Sequence, residues 1–193
     1  MHVKLVKYDN EAIIAEAAGI SHLNTNPNLN LIDKLYHWKH LEPFEFVNLV
    51  WYLEIPLFVE RQLLRHRHSS RVEMSMRYVT LEGDLENMYI PEYLSEPKQM
   101  AIKQAYWTAL EAYHKLIKAG VKPEIARTVI PLGYMTKMYV RMNARAFDNF
   151  LKLRTDTHAQ KEIRELAYLM LDTLNTDGLQ HLYHLFTEAY GKE

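Results

Sequence analysis

Arg65-His66-Arg67-His68-Ser69-Ser70-Arg71-Val72-Glu73-Met74-Ser75-Met76-Arg77-Tyr78 puts four arginines, two histidines, three serines and one glutamate into a single run with few apolar residues. Just upstream, Phe58-Val59-Glu60-Arg61-Gln62-Leu63-Leu64 reads as a helix, with Leu57, Phe58, Leu63 and Leu64 available to a core. Arg61 and Arg65 are an i,i+4 pair and so can share one face. So much cation beside an apolar helix is costly unless anions or carboxylates meet it. Arginine offers a planar fork of donors suited to phosphate. The other reading open at this point is a solvated charged turn.

Outward from this run, the chain alternates short strands and longer helices. Val3 to Tyr8 alternates as a strand, and Glu11 to Ala18 is a helix stopped by Gly19. Asn24 to Asn30 is a loop, and Leu31 to Trp38 has helical spacing. Glu42-Pro43-Phe44-Glu45 is a turn into Phe46 to Ile55, where Val47, Leu49, Trp51, Leu53 and Ile55 fall on one face of a half-buried strand. Val79 to Tyr93 is irregular, with an acidic patch at Glu82, Asp84 and Glu86. Ser95 to Ala119 is the clearest helix, with Ser95 as N-cap, Pro97 in the first turn, Gly120 as the stop and a stripe of Ile102, Ala105, Ala109, Tyr113, Leu116 and Ile117. Pro123 starts a short helix carrying Arg127, and Tyr134 to Met142 follows Pro131-Leu132-Gly133 as a strand. Asn143 to Arg154 is helical, and Thr155-Asp156-Thr157 caps a last pair of helices over 158–174 and 179–190. The expectation is a single α+β domain spanning 1–193, a small, mainly antiparallel sheet packed by several helices.

Composition narrows the chemistry. A chain of 193 residues that is 48% hydrophobic can bury a substantial core. Lys+Arg 23 against Asp+Glu 24 gives a net charge of -1, so the basic run is local and suits small anionic ligands better than a nucleic acid. With no cysteine, disulfides and thiolate catalysis are excluded, and a cytoplasmic location is compatible. Met1 to Asn10 lacks the apolar core of a signal peptide, and no apolar run approaches membrane-spanning length. His66, His68 and Glu73 fall short of the four ligands a structural zinc usually takes. Ser75 has no obvious Ser-His-Asp partners for nucleophilic catalysis.

In Asn143 to Arg154, a projection at 3.6 residues per turn gathers Ala146, Phe147, Phe150, Leu151 and Leu153 into an apolar arc. Asn143 and Arg154 fall near its middle, whereas Arg145, Asp148 and Asn149 lie away from it. An arginine on a core-facing side needs a partner.

Together these segments resemble the flavin-dependent thymidylate synthases. That family's signature usually runs Arg-His-Arg-x-x-Ser-x-Asn-Glu-x-Ser-x-Arg-Tyr. Arg65, His66, Arg67, Ser70, Glu73, Ser75, Arg77 and Tyr78 match it, and Val72 stands in place of the asparagine. The family's second pattern is met by Asn143, Arg145, Asn149 and Arg154, followed by His158-Ala159-Gln160 and Glu162. Gln62, Arg127, His40 and Pro43-Phe44-Glu45 extend the match, with Glu42 where a threonine is usual.

The resemblance implies FAD held by Arg65, His66, Arg67, Glu73, Asn143, Arg145 and Asn149, with Glu42 close by. It implies deoxyuridine monophosphate (dUMP) held by Gln62, Arg65, Glu73, Met74, Ser75, Met76, Arg77, Arg127 and Arg154. His40 and Tyr78 would stack near flavin and folate, and Arg154 would polarise the pyrimidine as the catalytic residue. The implied activity is a methyltransferase reaction converting dUMP to dTMP, with 5,10-methylenetetrahydrofolate as carbon donor and NADPH as reductant. A homotetramer with shared sites is implied, with no nucleic-acid or membrane partner. A relative that binds the ligands without turnover, and a small nucleic-acid-binding module, are the alternatives.

Overall fold

The structure, a computed structural model, describes residues 1–24, 26, 28–81 and 85–192. Part of the asparagine-rich loop (Thr25 and Pro27) and Glu82 and Asp84 of the expected acidic patch lie outside the described residues. The fold is α+β, with a four-stranded antiparallel sheet in the order β1-β2-β4-β3. Its strands are β1 (His2–Tyr8), β2 (Asn48–Pro56), β3 (Ser69–Glu73) and β4 (Met135–Asn143). The chain clusters into two compact units: Met1–Leu53, Gln62–Val72 and Tyr139–Glu193 form the first, and Glu54–Arg61 with Glu73–Met138 the second.

The alternation of β2 is realised in full. Leu49, Trp51, Leu53 and Ile55 are buried, and the residues between them are half-buried. β1 runs against β2: Asp9, just past its end, donates its amide to the Asn48 carbonyl, whereas His2 meets the Tyr52 ring. β4 buries Thr136, Met138, Val140 and Met142 and exposes Lys137, Tyr139 and Arg141.

The sequence carries no strand signal over β3. β3 is an edge strand with Ser70, Arg71, Val72 and Glu73 all exposed. Such a strand shows no alternating apolar face, and its charged side chains suit an unpaired sheet edge. The helix before it, α3 (Leu57–Leu63), is also shorter than expected. Arg65 sits in the turn that follows, where its amide donates to the Gln62 carbonyl, so Arg61 and Arg65 are not a helical i,i+4 pair.

The first unit also holds α1 (Ala12–Gly19), α2 (Asn30–His37), α6 (Ala144–Arg154), α7 (Lys161–Asp172) and α8 (Gln180–Tyr190). Glu42–Phe46 is a 3-10 turn, so Phe46 precedes the strand and is exposed. α7 buries Ile163, Leu166, Ala167 and Met170, a stripe at helical spacing. Trp51 packs on Phe147, with ring centroids 4.8 Å apart, and its indole N–H donates to Thr173 Oγ1. Phe147 in turn contacts Phe150 and Phe186, so one aromatic cluster joins sheet, α6 and α8. The buried carboxylate of Glu11 accepts the amides of His181 and Leu182, both at 2.9 Å, and so caps the start of α8.

α6 departs from its projected arc at one end. Ala144, Phe147, Phe150 and Leu151 are buried, but Leu153 is 51% exposed. The buried stripe runs down the Ala144–Phe147–Phe150–Leu151 side of the helix. α7 starts later than expected, at Lys161. Asp156 instead accepts the His158 amide in the preceding turn, at 2.8 Å, and Gln160 takes the N-cap position.

In the second unit, α4 (Glu96–Lys118) follows Ser95 in extended conformation at the N-cap position, with Pro97 in the first turn. Gly120, with φ of +78°, supplies the left-handed stop. Leu110 and Tyr113 are the buried residues of α4 and join Met76, Leu81, Met88, Ala126 and Tyr134 in one cluster. Ala105, expected in the stripe, is exposed, because Tyr106 takes the inward place and packs on this cluster. Gly133 is required there, since a Cβ would collide with the Tyr106 hydroxyl. α5 (Pro123–Ala126) ends just before Arg127.

Candidate functional site

A cavity of about 860 Å³ opens in the first unit. One wall is α6, and the other is the turn after α3. Asn143 starts the α6 wall by accepting the Ala146 amide at 2.8 Å, an N-cap that leaves its amide NH2 available. Arg145, Asn149 and Lys152 follow at i, i+4 and i+7, so helical geometry sets them on one side, and all three line the cavity.

In the opposite wall, His66 N donates to Leu63 O, and Ser69 Oγ donates to His66 O at 2.6 Å. All four residues of this turn, Arg65 to His68, line the cavity. His66 is buried and pairs edge to face with the Phe150 ring, whereas Arg65, Arg67 and His68 are exposed.

Arg154 closes the far end. Its Nε donates to His66 Nε2 at 2.9 Å, and its Nη2 donates to the Gln62 carbonyl at 3.1 Å. An Nε2 that accepts leaves the ring proton on Nδ1. Burial first, and the Arg154 charge second, hold the His66 pKa down at about 4. Burial also lowers the Arg154 pKa, yet a guanidinium starts so high that it stays charged near neutrality. The sequence-predicted arginine on the inner side of α6 is therefore half-buried and partnered by neutral acceptors. The Gln62 side chain donates to Gln160 Oε1 at 2.7 Å, which ties this turn to the start of α7.

Arg145 is held differently. Glu45 accepts from its Nη1 at 2.8 Å, and Glu42 lies 3.8 Å away, 77% exposed at its side chain. Asp148 accepts the hydroxyls of Tyr36 and Tyr190 at 2.7 and 2.8 Å. Burial raises both phenols, Tyr190 to about 12. His40 is exposed and meets Trp38 edge to face, beside Lys39 in the left-handed region at φ of +62°.

The remaining sequence-predicted residues belong to the second unit. Glu73 accepts from Thr136 Oγ1 at 2.7 Å, and the Met74 amide continues the sheet onto Lys137. Ser75 O accepts the amides of Tyr78 and Val79, forming a turn. Met76 is buried in the core cluster, so its side chain is not open to a ligand. Arg77 reaches Glu124 Oε2 at 3.5 Å and lies over the Tyr78 ring, and Arg127 Nε donates to the Glu124 carbonyl. Glu45 and Lys152 were given no role by sequence reasoning. Lys152 was accessible to it, seven residues after Arg145 on the same helical face. Glu45 was not, because its partner is distant in the chain.

Among the described residues, no group of three His, Asp or Glu could hold a metal ion, and no helix is long and apolar enough to cross a membrane. The family model described as thymidylate synthase complementing protein matches residues 4–177. A flavin-dependent thymidylate synthase of Thermosipho melanesiensis is 36% identical, over 72% of this chain and 67% of its own length. The chain belongs to the flavin-dependent thymidylate synthases.

A second member of this enzyme family, from Pseudothermotoga lettingae, is 34% identical over 86% of this chain and 80% of its own length. Against these two relatives the chain spans about two thirds to four fifths of the relative's length. Among solved structures, the UMP/dUMP methylase PolB from Streptomyces cacaoi bound with 5-Br dUMP superimposes with a TM-score of 0.81. It is 28% identical, and the match covers 98% of this chain and 95% of that one. The same methylase bound with 5-Br UMP gives a TM-score of 0.80.

Proposed function

We propose that this flavin-dependent thymidylate synthase relative is an active enzyme that methylates dUMP to dTMP. It takes the one-carbon unit from 5,10-methylenetetrahydrofolate, draws reducing equivalents from NADPH and releases tetrahydrofolate. It works in the cytoplasm as a homotetramer with shared sites. The observation that carries the reading is Arg154: a half-buried, charged guanidinium at the end of a cation-lined cavity, partnered by neutral acceptors.

The cavity residues fit FAD. Its volume is that of a cofactor site, and Arg65, Arg67, Arg145 and Lys152 place four cations around it for a pyrophosphate. His66, Asn143 and Asn149 supply polar contacts, Glu42 stays close to Arg145, and the family resemblance adds Glu73 to the FAD-binding residues. Bound FAD supplies the redox chemistry of the reaction.

The protein's own residues position and polarise the nucleotide. By the family resemblance, Gln62, Arg65, Glu73, Met74, Ser75, Met76, Arg77, Arg127 and Arg154 bind dUMP, the arginines taking its phosphate and pyrimidine oxygens. Arg154 stabilises negative charge developing on the pyrimidine ring, favouring its N3-deprotonated form. His40 and Tyr78, both exposed aromatic rings, stack against flavin and folate.

A second reading, a relative that binds these ligands without turnover, is favoured by one observation: Glu45 already occupies Arg145. One experiment separates them. Purified protein is incubated with FAD and its visible spectrum recorded, then NADPH, methylenetetrahydrofolate and dUMP or UMP are added. The enzyme reading expects a yellow protein that forms dTMP from dUMP. A yellow protein with no product supports the second reading, and failure to take up flavin contradicts both.

A further inference from the structure

We infer that His66 is the positioning residue that aims Arg154, acting through the bond from Arg154 Nε to His66 Nε2, and is not simply a contact for the cofactor. The inference rests on the proposed catalytic role of Arg154.

The geometry is specific. Guanidinium has five N–H donors in a rigid plane. Nε–H and the nearer Nη2–H lie along one edge of that plane. His66 Nε2 and the Gln62 carbonyl take these two, at 2.9 and 3.1 Å. The plane is thus clamped along one edge, and the opposite end, with both Nη1 hydrogens and the outer Nη2 hydrogen, is left for a ligand. Gln62 contributes a backbone carbonyl, so His66 is the side chain that sets the orientation.

His66 is itself immobilised. It is 8% exposed, stands edge to face on Phe150 at 4.9 Å, and has its backbone fixed by Leu63 and Ser69. A carboxylate in its place would hold Arg154 more strongly but would neutralise it. A neutral imidazole fixes direction and leaves the full positive charge for the ligand. Burial and the Arg154 charge keep the ring in that neutral form.

A double-mutant cycle tests this on the FAD-loaded protein, reading flavin absorbance, dUMP affinity and the separate kcat and KM for dUMP. At saturating FAD, so that any weakening of flavin binding is compensated, His66→Leu is expected to lose about tenfold or more in kcat, the scale of a misaimed catalytic group. His66→Gln, whose amide oxygen can take the place of Nε2, is expected to recover most of that loss. In an Arg154→Met background, His66→Leu is expected to change dUMP affinity and residual turnover less than about twofold, as coupled residues require. Equal losses in both backgrounds, or loss of flavin with normal turnover of the loaded fraction, overturn the role of His66 alone. Normal turnover by Arg154→Met overturns the catalytic reading of Arg154 and the inference with it. In the wild-type holoprotein, 15N NMR is expected to show His66 protonated on Nδ1, and a proton on Nε2 contradicts the bond whatever the variants do.

Discussion

Arg145 and Arg154 stand at the two ends of α6, and both line the same cavity, yet they are held by opposite kinds of partner. Arg145 meets carboxylates, Glu45 at 2.8 Å and Glu42 at 3.8 Å. Arg154 meets an imidazole nitrogen and a backbone carbonyl. A cation paired with a carboxylate has its charge largely answered before a ligand arrives, so an incoming phosphate must exchange with the carboxylate. A cation held by neutral dipoles keeps its charge and is merely aimed. On the proposed function, this difference is what would separate a binding arginine from one that acts by electrostatic catalysis.

The sharpest way to break this contrast is to replace each arginine by lysine, which keeps the charge and loses the planar fork. Arg154→Lys is expected to cost about a hundredfold or more in kcat at saturating FAD, the scale of one lost transition-state donor. Arg145→Lys is expected to leave kcat of the loaded enzyme within about threefold and to weaken FAD binding by less than about tenfold, as for an exposed ion pair. Steady-state kinetics with a parallel FAD titration reads both. Comparable kcat losses in the two variants would remove the distinction.

A second test uses acid. The His66 pKa lies near 4 in the folded chain against an ordinary 6.5, so between these values the unfolded chain binds the extra proton. The contribution is fully present above pH 6.5 and is lost as pH falls toward 4, about 3 kcal/mol at most from a shift of this size. Urea unfolding of wild type and His66→Gln across that range is expected to show a steeper fall for wild type. Parallel curves would mean that the imidazole is not held neutral.

This pairing also shows how much of the molecule can be read from the chain. The buried alternation of β2 and the inward place of Arg154 follow from periods of two and 3.6 residues, which are local properties. β3 carries no such period, because an exposed edge strand is defined by its pairing in the sheet. Leu153 was assigned inward and lies outward, since a projection cannot say where along the helix the core stops. Arg65, His66, Arg67, Asn143, Arg145, Asn149 and Arg154, which line the cavity, were legible as motifs. The Glu45–Arg145 pair was not, because it joins residues a hundred positions apart.

A smaller effect is expected at those carboxylates. Glu45→Gln releases the closer partner of Arg145 and is expected to tighten FAD by about fivefold, a gain that shrinks as salt screens the site. Glu42→Thr restores the residue usual in the family, but Glu42 is mostly exposed and more distant, so its gain is expected to stay below about threefold. Val72→Asn, at a residue 73% exposed, is expected to change FAD affinity by less still. Titration of FAD into each apo variant at low and high salt ranks them. A larger gain from Glu42→Thr than from Glu45→Gln would reverse the assignment of partners.

The most direct measurement compares wild type with Arg154→Ala, both loaded with FAD and supplied with NADPH, methylenetetrahydrofolate and dUMP. The expected result is the same flavin spectrum in both proteins, with dTMP formed by wild type and at least about a hundredfold less by the variant. A variant that keeps its flavin and makes dTMP at a near-normal rate would contradict the central role of Arg154.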